Sequence, residues 1–70
     1  MICFKLLPQN IEKCIDVDRT SISYILSSIK DLLDEDLGTM VVVNGKLVQN
    51  NDQTVSSEDE IVIVQESMGG

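Results

Sequence analysis

The chain has 70 residues and a net charge of −7 at pH 7, with 5 basic and 12 acidic side chains and no histidine. A domain this small has little room for a deep catalytic pocket, and its negative charge disfavours nucleic-acid binding. Because the sequence also lacks a signal peptide and an apolar stretch of about 18 residues, we expect a single cytoplasmic domain without membrane contact.

The first 17 residues predict a hairpin of two strands. Ile2, Phe4 and Leu6 alternate with their neighbours in the period of two that is typical of a strand with one buried face. A break at residues 8–10 separates this strand from a second alternating segment. Lys13 interrupts the apolar series of the second segment, which favours an edge position for that strand.

Cys3 and Cys14 lie on these two predicted strands and are the two cysteines of the chain. Without histidine they cannot complete a tetrahedral zinc site or a Cys–His nucleophile pair, so we predict no metal, no cofactor and no catalytic residue. The two side chains could face each other across the hairpin. In a reducing cytoplasm, however, we expect two free thiols that serve as small buried hydrophobic residues.

A helical period begins at Thr20. Either Thr20 or Ser21 is placed to accept the amide hydrogen bonds at the start of the helix, and Gly38 is placed to end it in a left-handed conformation. The acidic residues between positions 31 and 36 oppose the helix dipole, and we expect them to form a solvated surface or, alternatively, a docking patch for a basic partner. The apolar stripe of this helix consists of Ile22, Ile25, Leu26, Ile29, Leu32 and Leu33.

The next segment predicts a strand, a tight turn and a short edge strand. Residues 40–43 are apolar and mostly β-branched, and Asn44-Gly45 is the strongest two-residue hairpin signal. Leu47 and Val48 then continue as the edge strand. Val55 follows a polar segment, and we expect it to pack into the core.

The last strand, residues 61–64, is apolar on both faces and follows an acidic turn. Such a strand belongs in the centre of a sheet, beside the first strand. Because one amphipathic helix covers one face of a sheet, the sequence predicts a two-layer α+β fold with a mixed sheet of four or five strands. We expect residues 1–66 to form this domain and residues 67–70 to form a flexible tail.

The tail ends in Gly69-Gly70. Two consecutive glycines have no side chains, so an extended tail can pass through a narrow channel and present its carboxylate to the active site of another protein. A terminal pair of glycines arises by chance in roughly one chain in two hundred, and a frayed or engineered end is the alternative. We therefore predict Gly70 as the reacting residue, with Gly69 and Met68 threading behind it.

The order of elements and three motifs resemble the β-grasp sulfur carriers and ubiquitin-like modifiers. The motifs are the strand and turn of residues 41–48, the acidic turn of residues 58–61 and the closing Gly69-Gly70. This resemblance covers nearly the whole chain and implies a ubiquitin-like β-grasp fold of order ββαβββ. The family includes the thiamin-biosynthesis sulfur carrier, the small subunit of molybdopterin synthase, the modifier that serves tRNA thiolation, and archaeal small modifiers.

Three features separate the chain from the molybdopterin synthase subunits. Glu58 stands where a glycine is usual, residues 65–67 replace a segment that often contains proline, and the first strand lacks a Phe-Ala pattern. These departures argue against a molybdopterin synthase subunit, and the short length favours a general sulfur carrier or an archaeal-type modifier.

The resemblance implies that the chain is the substrate of an enzyme rather than an enzyme itself. A ubiquitin-activating-like enzyme would use ATP to adenylate the Gly70 carboxylate, and a persulfide or sulfide would displace AMP to leave a thiocarboxylate. A sulfur-accepting synthase, in cofactor biosynthesis or tRNA thiolation, would then take up the sulfur. If the lysine of a substrate protein attacks instead, the chain becomes a protein modifier. The third reading is a passive β-grasp interaction domain with an incidental tail.

Leu47, Val62 and Val64 are the candidate contacts for a protein partner. If they lie on the exposed face of the sheet they form a contact patch, and the alternative is that they are ordinary core residues. The net charge of −7 suits an activating enzyme with a basic docking surface, because complementary charges accelerate association.

Overall fold

Seven strands, one α-helix and one 3₁₀ turn make up residues 1–67, the part of the chain that a computed structural model describes. Among these residues, no helix has the length and hydropathy needed to cross a membrane. The elements, in chain order, are β1 (Ile2–Leu7), β2 (Ile11–Ile15), β3 (Arg19–Ser21), α1 (Ile22–Ser28), the 3₁₀ turn (Lys30–Leu32), β4 (Leu37–Val43), β5 (Lys46–Leu47), β6 (Thr54–Ser56) and β7 (Ile61–Ser67).

Five of the strands form a mixed sheet in the order β2-β1-β7-β4-β5. β1 and β7 are parallel neighbours, and the other pairs are antiparallel. The predicted α+β class and the central position of β7 beside β1 are confirmed. β3 and β6 form a separate two-stranded sheet that the sequence analysis did not predict.

The N-terminal hairpin is present, and β2 is an edge strand as Lys13 indicated. The expectation of two free, buried thiols is wrong, because Cys3 and Cys14 are exposed and form a disulfide. Antiparallel pairing places the two residues directly opposite each other, with their Cα atoms 4.0 Å apart. Cys3 is out of phase with the buried residues of β1, so its side chain lies on the outer face of the sheet.

The helix α1 begins as predicted at Ser21, whose hydroxyl oxygen accepts a hydrogen bond from the Tyr24 backbone N–H at 3.2 Å. Of the predicted apolar stripe, Ile22, Ile25 and Ile29 are buried in the core and Leu26 and Leu33 pack against it. Leu32 does not join them, because it lies in the 3₁₀ turn and is 37% exposed. The buried residues of the core are Ile2, Phe4, Leu6, Ile22, Ile25, Ile29, Val41, Val43, Val55, Ile61 and Ile63. Val55 therefore packs into the core, as expected.

The predicted end of the helix is wrong. α1 ends at Ser28 and is followed by the 3₁₀ turn, whereas Gly38 lies inside β4 and pairs with Glu66. The Ser28 hydroxyl donates a hydrogen bond to the Ile25 carbonyl at 2.7 Å, an interaction that competes with regular helix bonding. Farther on, the Gln65 side chain binds the backbone of Asp34, which holds that segment in a non-helical conformation.

The tight turn at Asn44-Gly45 is confirmed. Both residues have positive φ, 53° for Asn44 and 83° for Gly45, as a type I′ hairpin turn requires. The turn places Val43 opposite Lys46 and Val42 opposite Leu47. β5 is therefore the short edge strand that the sequence predicted.

Candidate functional site

The face of the sheet that points away from α1 is partly apolar. Along β7, the buried residues Ile61, Ile63 and Gln65 alternate with the half-buried Val62 and Val64. Because successive side chains of a strand point to opposite faces, the two valines lie on the outer face.

Cross-strand pairing extends this apolar surface over four strands. Val42 lies between Leu47 on β5 and Val62 on β7, so these three side chains form one row. Val64 forms a second row with Met40 on β4 and Leu7 on β1. We call the whole set the outer patch; its members are Leu7, Met40, Val42, Leu47, Val62 and Val64.

The structure brings all three predicted partner contacts together in the outer patch. Leu47 is the most open of them, with 52% of its surface exposed. The sequence analysis missed Leu7, Met40 and Val42, although a two-residue turn at Asn44-Gly45 already dictates that Val42 faces Leu47.

Charged residues border the outer patch on two sides. Lys5 is the cross-strand neighbour of Val62 on β1, and Glu12 lies opposite Lys5 on β2. Glu66 follows Val64 on the same face, near the end of β7. A partner that covers the patch therefore meets a carboxylate near the C-terminal end of β7.

Gln65 anchors the end of β7 from the inner face. Its carbonyl oxygen accepts a hydrogen bond from the Asp34 backbone N–H at 2.9 Å, and its amide nitrogen donates to the Asp34 carbonyl at 3.1 Å. The same nitrogen donates to the Thr39 hydroxyl at 3.0 Å. Two hydrogen bonds thus fix the end of β7 to the segment between α1 and β4, and the third joins it to β4 itself.

Asn44 links the hairpin turn to the start of β7. Its side-chain nitrogen donates to the Asp59 carboxylate, and its side-chain oxygen accepts from the Glu60 backbone N–H, both at 2.9 Å. The Asp59 carboxylate also accepts a hydrogen bond from the Ser56 backbone N–H at 2.8 Å. The pKa of Asp59 lies below its usual value of 3.8, because hydrogen bonds stabilise the ionised carboxylate. The hydrogen bond from the Asn44 side chain has the largest effect, and the one from the Ser56 backbone N–H has the next largest.

This arrangement predicts how stability responds to acid. With its pKa lowered in the folded state, Asp59 stabilises the fold above its usual pKa, and this stabilisation is lost as the pH falls through the lowered value. We expect the stability advantage of the wild type over Asp59→Asn to shrink steadily below about pH 4. Urea unfolding of both proteins over a series of pH values measures this difference in the free energy of unfolding. Asp52→Asn, which changes an exposed carboxylate in a nearby loop, is the control; an advantage that does not vary with pH would contradict the prediction.

The described residues do not include the predicted reacting residue, Gly70, or the predicted threading residues, Gly69 and Met68. β7 extends to Ser67, which pairs with Leu37 and is the first residue of the predicted tail. Within residues 1–67, no group of three His, Cys, Asp or Glu side chains is arranged to hold a metal ion.

The fold is similar to that of a thiamine biosynthesis protein (ThiS) from Geobacter metallireducens, with a TM-score of 0.65 and 18% sequence identity. The similarity covers 99% of this chain and 100% of that chain. No protein-family model matches the sequence, and no curated protein matches it. One helix packed on a mixed five-stranded sheet, together with this full-length similarity, shows that the chain has the ubiquitin-like β-grasp fold.

Proposed function

We propose that the chain is a sulfur carrier whose Gly70 carboxylate is converted to a thiocarboxylate. The observation that carries the proposal is a Gly-Gly end that follows, within three residues, the central strand of a β-grasp sheet. β7 pairs with β1 on one side and with β4 on the other, and Gln65 fastens its end. A partner can therefore grip a rigid body while it acts on the residues that follow.

The chemistry requires an activated carboxyl group. An oxygen of the Gly70 carboxylate attacks the α-phosphorus of ATP, and pyrophosphate leaves to give an acyl-adenylate. The sulfur of a hydrosulfide then attacks the acyl carbon, AMP leaves, and the thiocarboxylate is formed directly. If a persulfide attacks instead, the product is an acyl disulfide, and a thiol must cleave its S–S bond, forming a disulfide with the sulfur of the donor, to release the thiocarboxylate. An adenylating partner must supply the catalytic groups, since the chain offers its carboxyl end as the reactant. In this proposal the chain itself is a carrier and not an enzyme.

The outer patch is the contact surface that we assign to the adenylating partner. It is apolar and partly exposed, and it spans four strands, among them β7, which leads to the tail. Apolar side chains in the centre of an interface contribute most of the binding energy, while charged residues at the rim guide association. Glu66 and the net charge of −7 favour a basic rim on the partner.

Replacing Gly69 with tryptophan is expected to reduce adenylation by about 100-fold or more, because a bulky side chain next to the reacting carboxylate displaces it from the attacking geometry. Pyrophosphate exchange with the adenylating enzyme of the host measures activation, and the intact mass shows sulfur in place of one oxygen. Ser57→Trp, at an exposed position distant in sequence from the tail, is the matched control. Sulfur loading of Gly69→Trp at the wild-type level would refute the proposal.

The same tail favours protein modification as the second candidate. In that case the host would contain conjugates of higher mass, with a Gly-Gly remnant on substrate lysines and no sulfur on the free chain. If deletion of Gly69 and Gly70 leaves the biological activity unchanged, the chain is a passive interaction domain and both proposals fail.

Replacing Leu47 with aspartate is expected to raise the KM of the adenylating enzyme for this chain about tenfold and to leave kcat nearly unchanged. The reason is that the lost contact stabilises the bound complex and the transition state equally. Tyr24→Asp is the matched control, because Tyr24 is 53% exposed, as open as Leu47, but lies on the helix. Steady-state kinetics of AMP formation distinguish the two variants. Equal effects of both substitutions would show that the outer patch is not the docking surface.

A further inference from the structure

A groove of about 350 Å³ opens on the outer face of the sheet beside the disulfide. Cys3, Lys5 and Val62 are among its lining residues, with Glu12 and Glu60 at its sides. Its volume lies at the lower end of the range for small-molecule sites, about 300–1,000 Å³, and is ample for a small thiol. The groove adjoins the outer patch through Val62.

The topology sets the direction from which each sulfur of the disulfide can be attacked. Thiol–disulfide exchange proceeds by attack of a thiolate on one sulfur while the other sulfur leaves. Cys3 lies on β1 between Cys14 on the edge strand β2 and the start of β7. Glu60, Ile61 and Val62 line the groove, so it covers the side of Cys3 that faces away from Cys14, and it also extends to Glu12 on β2.

We propose that this groove is a thiol–disulfide exchange site for low-molecular-weight thiols, with Cys3 as the attacked residue. The thiolate of the incoming thiol forms a bond to Sγ of Cys3. The bond between the two Sγ atoms breaks, and Cys14 leaves with the electron pair as a thiolate. The product is a mixed disulfide at Cys3: the incoming thiol is oxidised as Cys14 is reduced, and no further oxidant or reductant is needed.

Charge determines which thiols react fastest. The groove carries one ammonium group, on Lys5, and two carboxylates, on Glu12 and Glu60, and the whole chain carries a charge of −7. A thiol that bears an ammonium group is therefore attracted, and one that bears a carboxylate is repelled. The site favours small aminothiols over mercapto acids.

The mixed disulfide would place a new group next to Val62, at the border of the outer patch. Its effect on the docking of an adenylating partner rests on the proposed function, whereas the exchange reaction does not. The modification would weaken docking without a change in the tail.

The test treats the folded full-length chain with cysteamine, quenches with acid, traps free thiols with N-ethylmaleimide, and maps both cysteines by mass spectrometry. We expect the cysteamine adduct on Cys3 and the maleimide on Cys14, with at least about a fivefold excess over the reverse arrangement. Adducts mainly on Cys14, equal labelling of the two cysteines, or exchange only after unfolding in urea would each overturn the proposal.

The second readout is the rate constant of the exchange, divided by the concentration of the thiolate form of each thiol. Cysteamine is expected to react about fivefold faster than thioglycolate at low ionic strength, with the ratio decreasing in high salt because the charges are screened. Glu60→Gln should lower the ratio, and a ratio that depends on neither salt nor Glu60 would contradict the assigned specificity. A chain without Gly69 and Gly70 should undergo the exchange normally and form no thiocarboxylate, which separates this proposal from the proposed function.

Discussion

Replacing Ile63 with alanine is expected to lower the free energy of unfolding by about 3–4 kcal/mol. Ile63 is only 1% exposed and lies on the central strand β7, between Leu6 on β1 and Val41 on β4. The truncation leaves a cavity that two fixed neighbouring strands cannot close. A domain of this size has a total stability of roughly 4–10 kcal/mol, so the substitution should remove about a third of it or more.

Urea unfolding followed by circular dichroism measures this loss. Ile63→Val should cost about 1 kcal/mol, since it removes a single methylene group. Ile11→Ala is the matched control on the edge strand, where the isoleucine is 37% exposed and a much smaller loss is expected. Comparable losses at positions 63 and 11 would show that β7 is not the centre of the core.

Replacing Gln65 with leucine is expected to cost about 2–3 kcal/mol. Leucine has a similar size but offers no partner to the Asp34 amide, the Asp34 carbonyl or the Thr39 hydroxyl. Gln65 is 4% exposed and its three hydrogen bonds are partly buried, so the substitution removes all three from a partly shielded site. Because Gln65 anchors the end of β7, the same substitution should also lower the yield of the activated tail.

Gln49→Leu is the matched control for this prediction, since Gln49 is exposed in a loop. Differential scanning calorimetry should show a clear decrease in Tm for Gln65→Leu and little change for Gln49→Leu. If the Gln65 variant melts with the wild type, the three hydrogen bonds do not contribute to stability.

The main sheet could be predicted because its signals are local. Alternation in β1, the Asn44-Gly45 turn and the doubly apolar β7 each specify a strand or a register within a few residues. The outer patch was only partly predictable, since residues 41–43 are all valine and do not reveal which of them faces outward. The register of the turn resolves this and places Val42 on the outer face.

The prediction that α1 extends to Gly38 is wrong in part because a distant residue fixes the segment that follows the helix. Gln65 reaches the backbone of Asp34 across 31 positions of sequence, and no local pattern reveals that contact. Gly38, which was predicted to end the helix, instead lies in β4 and pairs with Glu66.

β3 and β6 escaped prediction for a related reason. Each has three residues, and the two strands are far apart in the sequence: Arg19 on β3 pairs with Ser56 on β6. Strands this short show no readable alternation, so their pairing depends on the folded core around Val55. The disulfide, by contrast, followed from the hairpin register, and the expectation of free thiols gave an assumed compartment more weight than that register.

The central position of β7 has a consequence for biosynthesis. The hairpins β1–β2 and β4–β5 each form from residues close in sequence, but they share no neighbour in the sheet except β7. A nascent chain on the ribosome therefore carries two separate hairpins with open edges until the segment that ends at Ser67 emerges. During this interval the inner faces of both hairpins are open to chaperones and to other nascent chains.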